Sequence, residues 1–173
     1  MNSDPSTGRA SLFPPGVDQV QLYHSHEQLQ LDVERCRAAG WEVIELDASG
    51  WSDGAALHDD FSTALTFPDY YGRNLDALHD MMLELAAGSR GFSDTAAGGL
   101  LVLQHFDSFL ANSRSRAEAV VEILATATSR ALQYGWPLVV FLQSDDPQLR
   151  LGPVAPIVIG WNPGERIRSK RPQ

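Results

Sequence analysis

Asp76 and Asp80 stand four residues apart, so any helix that carries them shows both carboxylates on one face, about 5–6 Å apart. The helix that carries them has no Lys or Arg of its own to neutralise them, and such a pair invites a cation from outside. His79 stands between them, at helical spacing from Asp76, and a second cluster, of consecutive residues, stands at His58, Asp59 and Asp60. Three chemistries use these residue types. A carboxylate pair can bind a cationic partner. Carboxylates with histidine can hold a metal for hydrolysis, through His79 with Asp76 or Asp80, or His58 with Asp59 and Asp60, although no cysteine cluster supports either set. Paired carboxylates can also exchange protons, but that needs a cleft and raised pKa values, which an exposed helix does not supply. The one cysteine, Cys36, falls on the apolar face of its helix, where burial rather than nucleophilic chemistry is expected.

The elements that must hold these groups follow from periodicity and punctuation. Residues 1–16 carry three prolines and two glycines and are expected to form a flexible tail. Val17 to Tyr23 alternates weakly as a strand, and His26 to Ala39 has helical spacing with Gly40 as its stop. Trp41 to Leu46 is a strand. A helix capped by Ser52 or Asp53 carries Leu57, Phe61 and Leu65 and ends before Pro68. Asn74 caps the next helix, whose Leu75, Leu78, Met82 and Leu85 face the core. After the loop glycines Gly98 and Gly99, the apolar run at 100–103 is a buried strand. A short helix at Phe106 to Leu110 precedes a long one opened by Asn112 or Ser113 and stopped by Gly135. Pro137 to Leu142 is the second fully apolar strand. This alternation predicts an α/β fold, a parallel sheet joined by helical crossovers. The run at 157–159 offers an edge strand at most, because Pro153 and Pro156 disfavour a central one.

Composition narrows the function classes. Thirteen Lys and Arg oppose twenty-two Asp and Glu, a net charge of −9 over 173 residues. Residues 42–84 hold ten acids against one base, Arg73. Direct nucleic-acid binding needs the opposite sign. A basic partner suits an acidic surface. The longest apolar run, six residues, is far short of a membrane span, and the residues 1–10 lack the apolar stretch of a secretion signal. A lone cysteine forms no internal disulfide, so a cytoplasmic location is expected.

Residues 67–80 read FPDYYGRNLDALHD. Pro68 and Gly72 bracket a turn, and of the adjacent tyrosines one is expected to pack and the other to show. This stretch resembles the barstar family of intracellular ribonuclease inhibitors, through Pro68, Tyr70, Tyr71, Gly72, Asn74, Leu75, Asp76, Ala77, Leu78 and Asp80. The resemblance covers about residues 41–144. It implies a three-layer fold around a small parallel sheet, with three core strands and a possible fourth from the N-terminal extension. The expected division is a tail at 1–16, a strand–helix extension at 17–40, a barstar-like domain at 41–144, and a C-terminal extension with a basic end at 145–173. The resemblance further implies an immunity protein, not an enzyme and without a cofactor. It would bind a basic ribonuclease-type toxin one to one, as a monomer. Asp80 would stand in for substrate phosphate, Asp76 would be a second anion, Tyr70 an aromatic contact, and Gly72, Asn74 and Leu75 loop contacts. The family usually has Trp where His79 stands, so His79 joins the partner-binding set. An ungapped match places Arg130 at an acidic contact of the long helix. The alternatives from the residues are a metal-assisted hydrolase and a non-inhibitory adaptor. The basic end at 165–173 would be mobile, or would fold over the acidic face until a partner displaces it.

Overall fold

The computed structural model describes residues 13–14, 17–88, 91–154 and 157–168; the expected flexible tail at 1–16 lies almost wholly outside the described residues, as do residues 169–173 of the basic end. Five strands form one parallel sheet: β1 (Val20–Tyr23), β2 (Glu42–Asp47), β3 (Gly99–Gln104), β4 (Leu138–Gln143) and β5 (Gly160–Trp161). Their spatial order is β2-β3-β4-β1-β5. The connecting helices are α1 (His26–Ala38), α2 (Ala55–Ala64), α3 (Leu75–Ala86), α4 (Phe106–Asn112) and α5 (Arg114–Gln133), and α6 (Pro163–Arg168) follows β5.

The two apolar runs become the interior strands. Leu100 to Leu103 and Leu138 to Leu142 are buried throughout, as strands covered on both faces must be. Leu101, Leu103, Val140 and Leu142 point into the larger core with α2, α3, α4 and α5. Leu100, Val102, Val139 and Phe141 point the other way, onto Leu29, Val33 and Cys36 of α1 and onto Tyr23. Helices therefore sandwich the sheet in three layers. The edge strand β2 carries Glu42, Glu45 and Asp47, and charge there opposes pairing with a second sheet. Leu101 is wholly buried, and Leu101→Ala is expected to cost about 2–5 kcal/mol of unfolding free energy in a urea titration.

The strand from the N-terminal extension does join the sheet, but not at its rim. It pairs with β4 on one side (Val20 with Val140, Leu22 with Leu142) and with β5 on the other. The edge strand of the C-terminal segment is Gly160–Trp161, just beyond the run at 157–159, whose Ile157 instead bridges Val154. Polar contacts, those of Asn162 buried, tie this segment down. Asn162 Nδ2 donates to Tyr23 Oη and to Asp32 Oδ2, each at 3.0 Å, and Glu165 accepts from the backbone N–H groups of His24 and Ser25 at the start of α1.

Two glycines do more than end a loop. A Cβ on Gly98 would lie 2.7 Å from the Trp41 ring, and one on Gly99 would lie 2.7 Å from Trp136. Both rings close over the start of β3 only because these positions lack side chains. The cap of α2 also differs from expectation. Gly54, in left-handed backbone at φ +86, takes the cap position, while Asp53 Oδ1 accepts from the N–H of Ala55.

Candidate functional site

The site is a loop clamped at both ends and the first turns of the helix that follows. Tyr71 N–H donates to Pro68 O at 2.9 Å and closes the turn. The Tyr71 ring then turns inward against Phe67, and its hydroxyl meets Nδ1 of the buried His58 at 2.6 Å. Tyr70 points out and is 71% exposed, so the two neighbours separate as adjacent side chains in a turn must. At the other end Asn74, in extended backbone, accepts the N–H of Ala77 on its side chain at 2.8 Å and so caps α3. Its Nδ2 also donates to Gly72 O. Leu78, Met82 and Leu85 are buried and fix the roll of the helix, with Leu75 half-buried beside them.

That roll turns Asp76 and Asp80 outward. Asp80 has 76% of its side chain exposed, and among the described residues neither carboxylate pairs with Lys or Arg. Asp76 lies in the first turn of α3, where the helix dipole and free N–H groups favour an anion. His79 is half-exposed, with Nδ1 3.9 Å from Asp80 Oδ1. Beside them a shallow groove of about 320 Å³ runs between α3 and α5. Leu75, Ala119 and Ile123 give it apolar walls, and Asp76, His79 and Glu122 give it a polar rim.

Glu122 is the residue sequence reasoning misses. Counting back from the last strand selects Arg130, but Arg130 lies in the last turn of α5 with Nη1 near Gln133 Oε1. It is two turns, about 12 Å, beyond Glu122 along the helix. The residue of α5 that lines the groove with Asp76 is an acid, and among the described residues no Lys or Arg lines it.

The alternative clusters are otherwise engaged. His58 is held by Tyr71, Asp59 pairs with Arg73, and Asp60 accepts from Trp51 Nε1 at 2.7 Å. Among the described residues no group of three His, Cys, Asp or Glu side chains is gathered for a metal ion. Cys36 is buried, and burial with the nearby Asp32 pushes its thiol up to about 11, which disfavours the thiolate. Among the described residues no helix is long and apolar enough to cross a membrane. Of the basic end, the Glu165 carboxylate is occupied at the start of α1, and Arg166 and Arg168 belong to α6; Lys170 and Arg171, which the expected cover over the acidic face would also use, lie outside the described residues.

Titration of the clamp gives a testable pH window. Burial first, then the charges of Arg73 and Arg116, lower the pKa of His58, so the ring stays neutral beside Tyr71. Burial pushes the Tyr71 hydroxyl up to about 12. The unfolded chain takes up a proton at His58 near pH 6.5, while the folded chain resists it. Stability from this group is therefore full above that pH and lost as pH falls through the lowered value. Asp47, Asp59 and Asp145 also have lowered pKa values, but theirs is a more acidic window, below about pH 4. Urea midpoints are expected to fall between pH 7 and pH 5, and His58→Gln should flatten that slope. An unchanged slope in the variant would remove His58 as its source.

Comparisons with known proteins bear on this geometry. The family model described as barstar (barnase inhibitor) matches residues 41–143. "Putative ribonuclease inhibitor YrdF" of Bacillus subtilis (strain 168) is 37% identical over 84 residues, which are 49% of this chain and 82% of that protein. A chain in the structure of Drosophila ORC bound to DNA superposes with a TM-score of 0.50 at 18% identity, covering 79% of this chain and 71% of that one. At that identity the likeness concerns the fold alone.

Proposed function

Because this chain belongs to the barstar family, we propose that it is an inhibitor of a ribonuclease, docking the exposed carboxylates of α3 and the loop before them into the enzyme's active-site cleft. A ribonuclease presents positive charge to bind RNA phosphates, and a rigid pair of carboxylates competes for that charge. One observation carries the reading. Asp76 and Asp80 stand on a helix fixed by its cap and its buried face, yet neither pairs with Lys or Arg among the described residues. Their exposure leaves them hydrated until a partner supplies guanidinium or ammonium groups.

In this reading Asp80 takes the place of the attacked phosphate and Asp76 that of a neighbouring one. Tyr70 lies against the rim, and Gly72, Asn74 and Leu75 bring the backbone close. His79 and Glu122 extend the contact across the groove to α5, and Glu122 adds negative charge where the ungapped match puts a positive one. Inhibition is by occlusion, so the chain does no chemistry of its own. The complex is one to one, formed by a monomer acting as an immunity protein in the cytoplasm. The negative surface around the ridge steers encounter and makes association salt-dependent.

Titration of the purified chain into barnase, with hydrolysis of a fluorogenic RNA as readout, tests the reading. Cleavage should fall linearly to zero at one equivalent, and the association rate should drop as salt rises. Full cleavage at a large excess of the chain, for barnase and for a panel of related ribonucleases, would overturn it.

A further inference from the structure

Arg73 is the one Lys or Arg between residues 42 and 84, and it stands inside the proposed docking loop, between Gly72 and Asn74. A guanidinium left free there would repel a basic cleft. Instead the side chain folds back onto α2, where Nη1 donates to the Asp59 carboxylate and Nη2 reaches Ala55 O at 3.4 Å. The backbone of Arg73 sits at φ +53, in the left-handed region that costs a residue with a side chain. A local cost at one loop position persists only where its surroundings hold it. The Tyr71–His58 contact and the Asn74 cap fix the two flanks of this turn, and the tie to Asp59 fixes the residue between them.

We propose that Asp59 is a positioning residue for the docking loop: through Arg73 it holds the left-handed turn in shape and neutralises a cation that a basic partner would reject. The inference rests on the reading of Asp76 and Asp80 as the docking ridge. The Arg73 hydrogen bond, ahead of the other causes, holds the Asp59 carboxyl below its ordinary range, in keeping with a formed pair. Both side chains remain about half-exposed or more, so the pair adds little to global stability. Its effect falls on the order of the loop and on binding.

The experiment compares Asp59→Asn, Arg73→Ala, Arg73→Lys and the double variant Asp59→Asn/Arg73→Ala with the unaltered chain. Backbone 15N relaxation of Gly72 and Asn74 in the free protein reads loop order, and association and dissociation rates with barnase read docking. Asp59→Asn should leave Tm within about 2 °C, loosen both amides on the nanosecond scale, and raise the dissociation rate about tenfold. It should also slow association severalfold at low salt, with the difference vanishing at high salt. Arg73→Ala should loosen the loop without slowing association. The double variant should match Arg73→Ala, because nothing is left for Asp59 to act on. Arg73→Lys should restore most of the loop order. Unaltered relaxation in Asp59→Asn, or losses that add in the double variant, would overturn the proposal. Asp80→Ala separates the two readings. If it weakens binding while Asp59→Asn changes neither loop order nor rates, only this inference falls; if the chain and all variants fail to bind, the docking reading falls and relaxation alone decides the role of Asp59.

Discussion

Asp80→Ala should weaken the complex with the target ribonuclease by about 100- to 1000-fold, more than any other single change in the loop or helix. The side chain stands one turn past Asp76, largely exposed, and pairs with no Lys or Arg among the described residues. Before docking its carboxylate is therefore largely hydrated. In the cleft it loses that water and meets cations by charge-assisted hydrogen bonds, which are about twice as strong as neutral ones. Truncation removes those bonds and strands the enzyme's cations in a desolvated site, where an uncompensated charge costs most. Most of the loss should appear as faster dissociation. Asp80→Asn, which keeps shape and removes charge, should lose nearly as much. The thermal midpoint should stay level or rise slightly, because a like-charge pair one turn apart is relieved. If Asp80→Ala binds like the unaltered chain while Tyr70 or Arg130 dominates, the ridge is not the docking element.

Residues 41–144 alone should fail to fold cooperatively. That stretch holds the site, but the helix that covers one face of its sheet lies outside it. Leu100, Val102, Val139 and Phe141 are wholly buried, and their cover is Leu29, Val33 and Cys36 of α1, with Tyr23 beside them. Uncovering four such side chains forfeits roughly 6–12 kcal/mol, at about 1.5–3 kcal/mol each. A whole domain is stable by only about 5–15 kcal/mol. We therefore propose that residues 17–40 and 41–144 fold as one unit, with β1 hydrogen-bonded along β4. The C-terminal segment adds to that unit through Asn162 and Glu165. A fragment of residues 17–168 should melt in one transition, whereas 41–144 should bind a hydrophobic dye, aggregate and show no sharp transition. A sharp melt of 41–144 near the midpoint of the longer fragment would contradict this.

Local signals in the chain carried much of this architecture. The apolar runs at 100–103 and 138–142 became the two buried strands, and Asn74 capped α3 as its type and position predict. The split between Tyr70 and Tyr71 and the outward face of Asp76 and Asp80 followed from spacing and turn geometry. What escaped was what only distance in space decides. Chain order does not tell that β1 inserts between β4 and β5, since strand order is set by which faces remain to be covered. Glu122 reaches the groove because α5 lies along α3, a register no count from a strand end recovers. Asp59 and Arg73 are 14 residues apart on different elements, so no periodicity links them. Gly98 and Gly99 read as loop residues because the rings that need their space, Trp41 and Trp136, lie far away in sequence.

The most direct test of the docking surface is amide hydrogen exchange of this chain free and bound to an inhibited ribonuclease. Protection on binding should concentrate at residues 69–81 and along the groove-facing stretch of α5 at 119–126, with the outer face of α1 unchanged. A complex in which 69–81 exchanges as in the free chain, while protection gathers on α1 or at the β2 edge, would contradict the account.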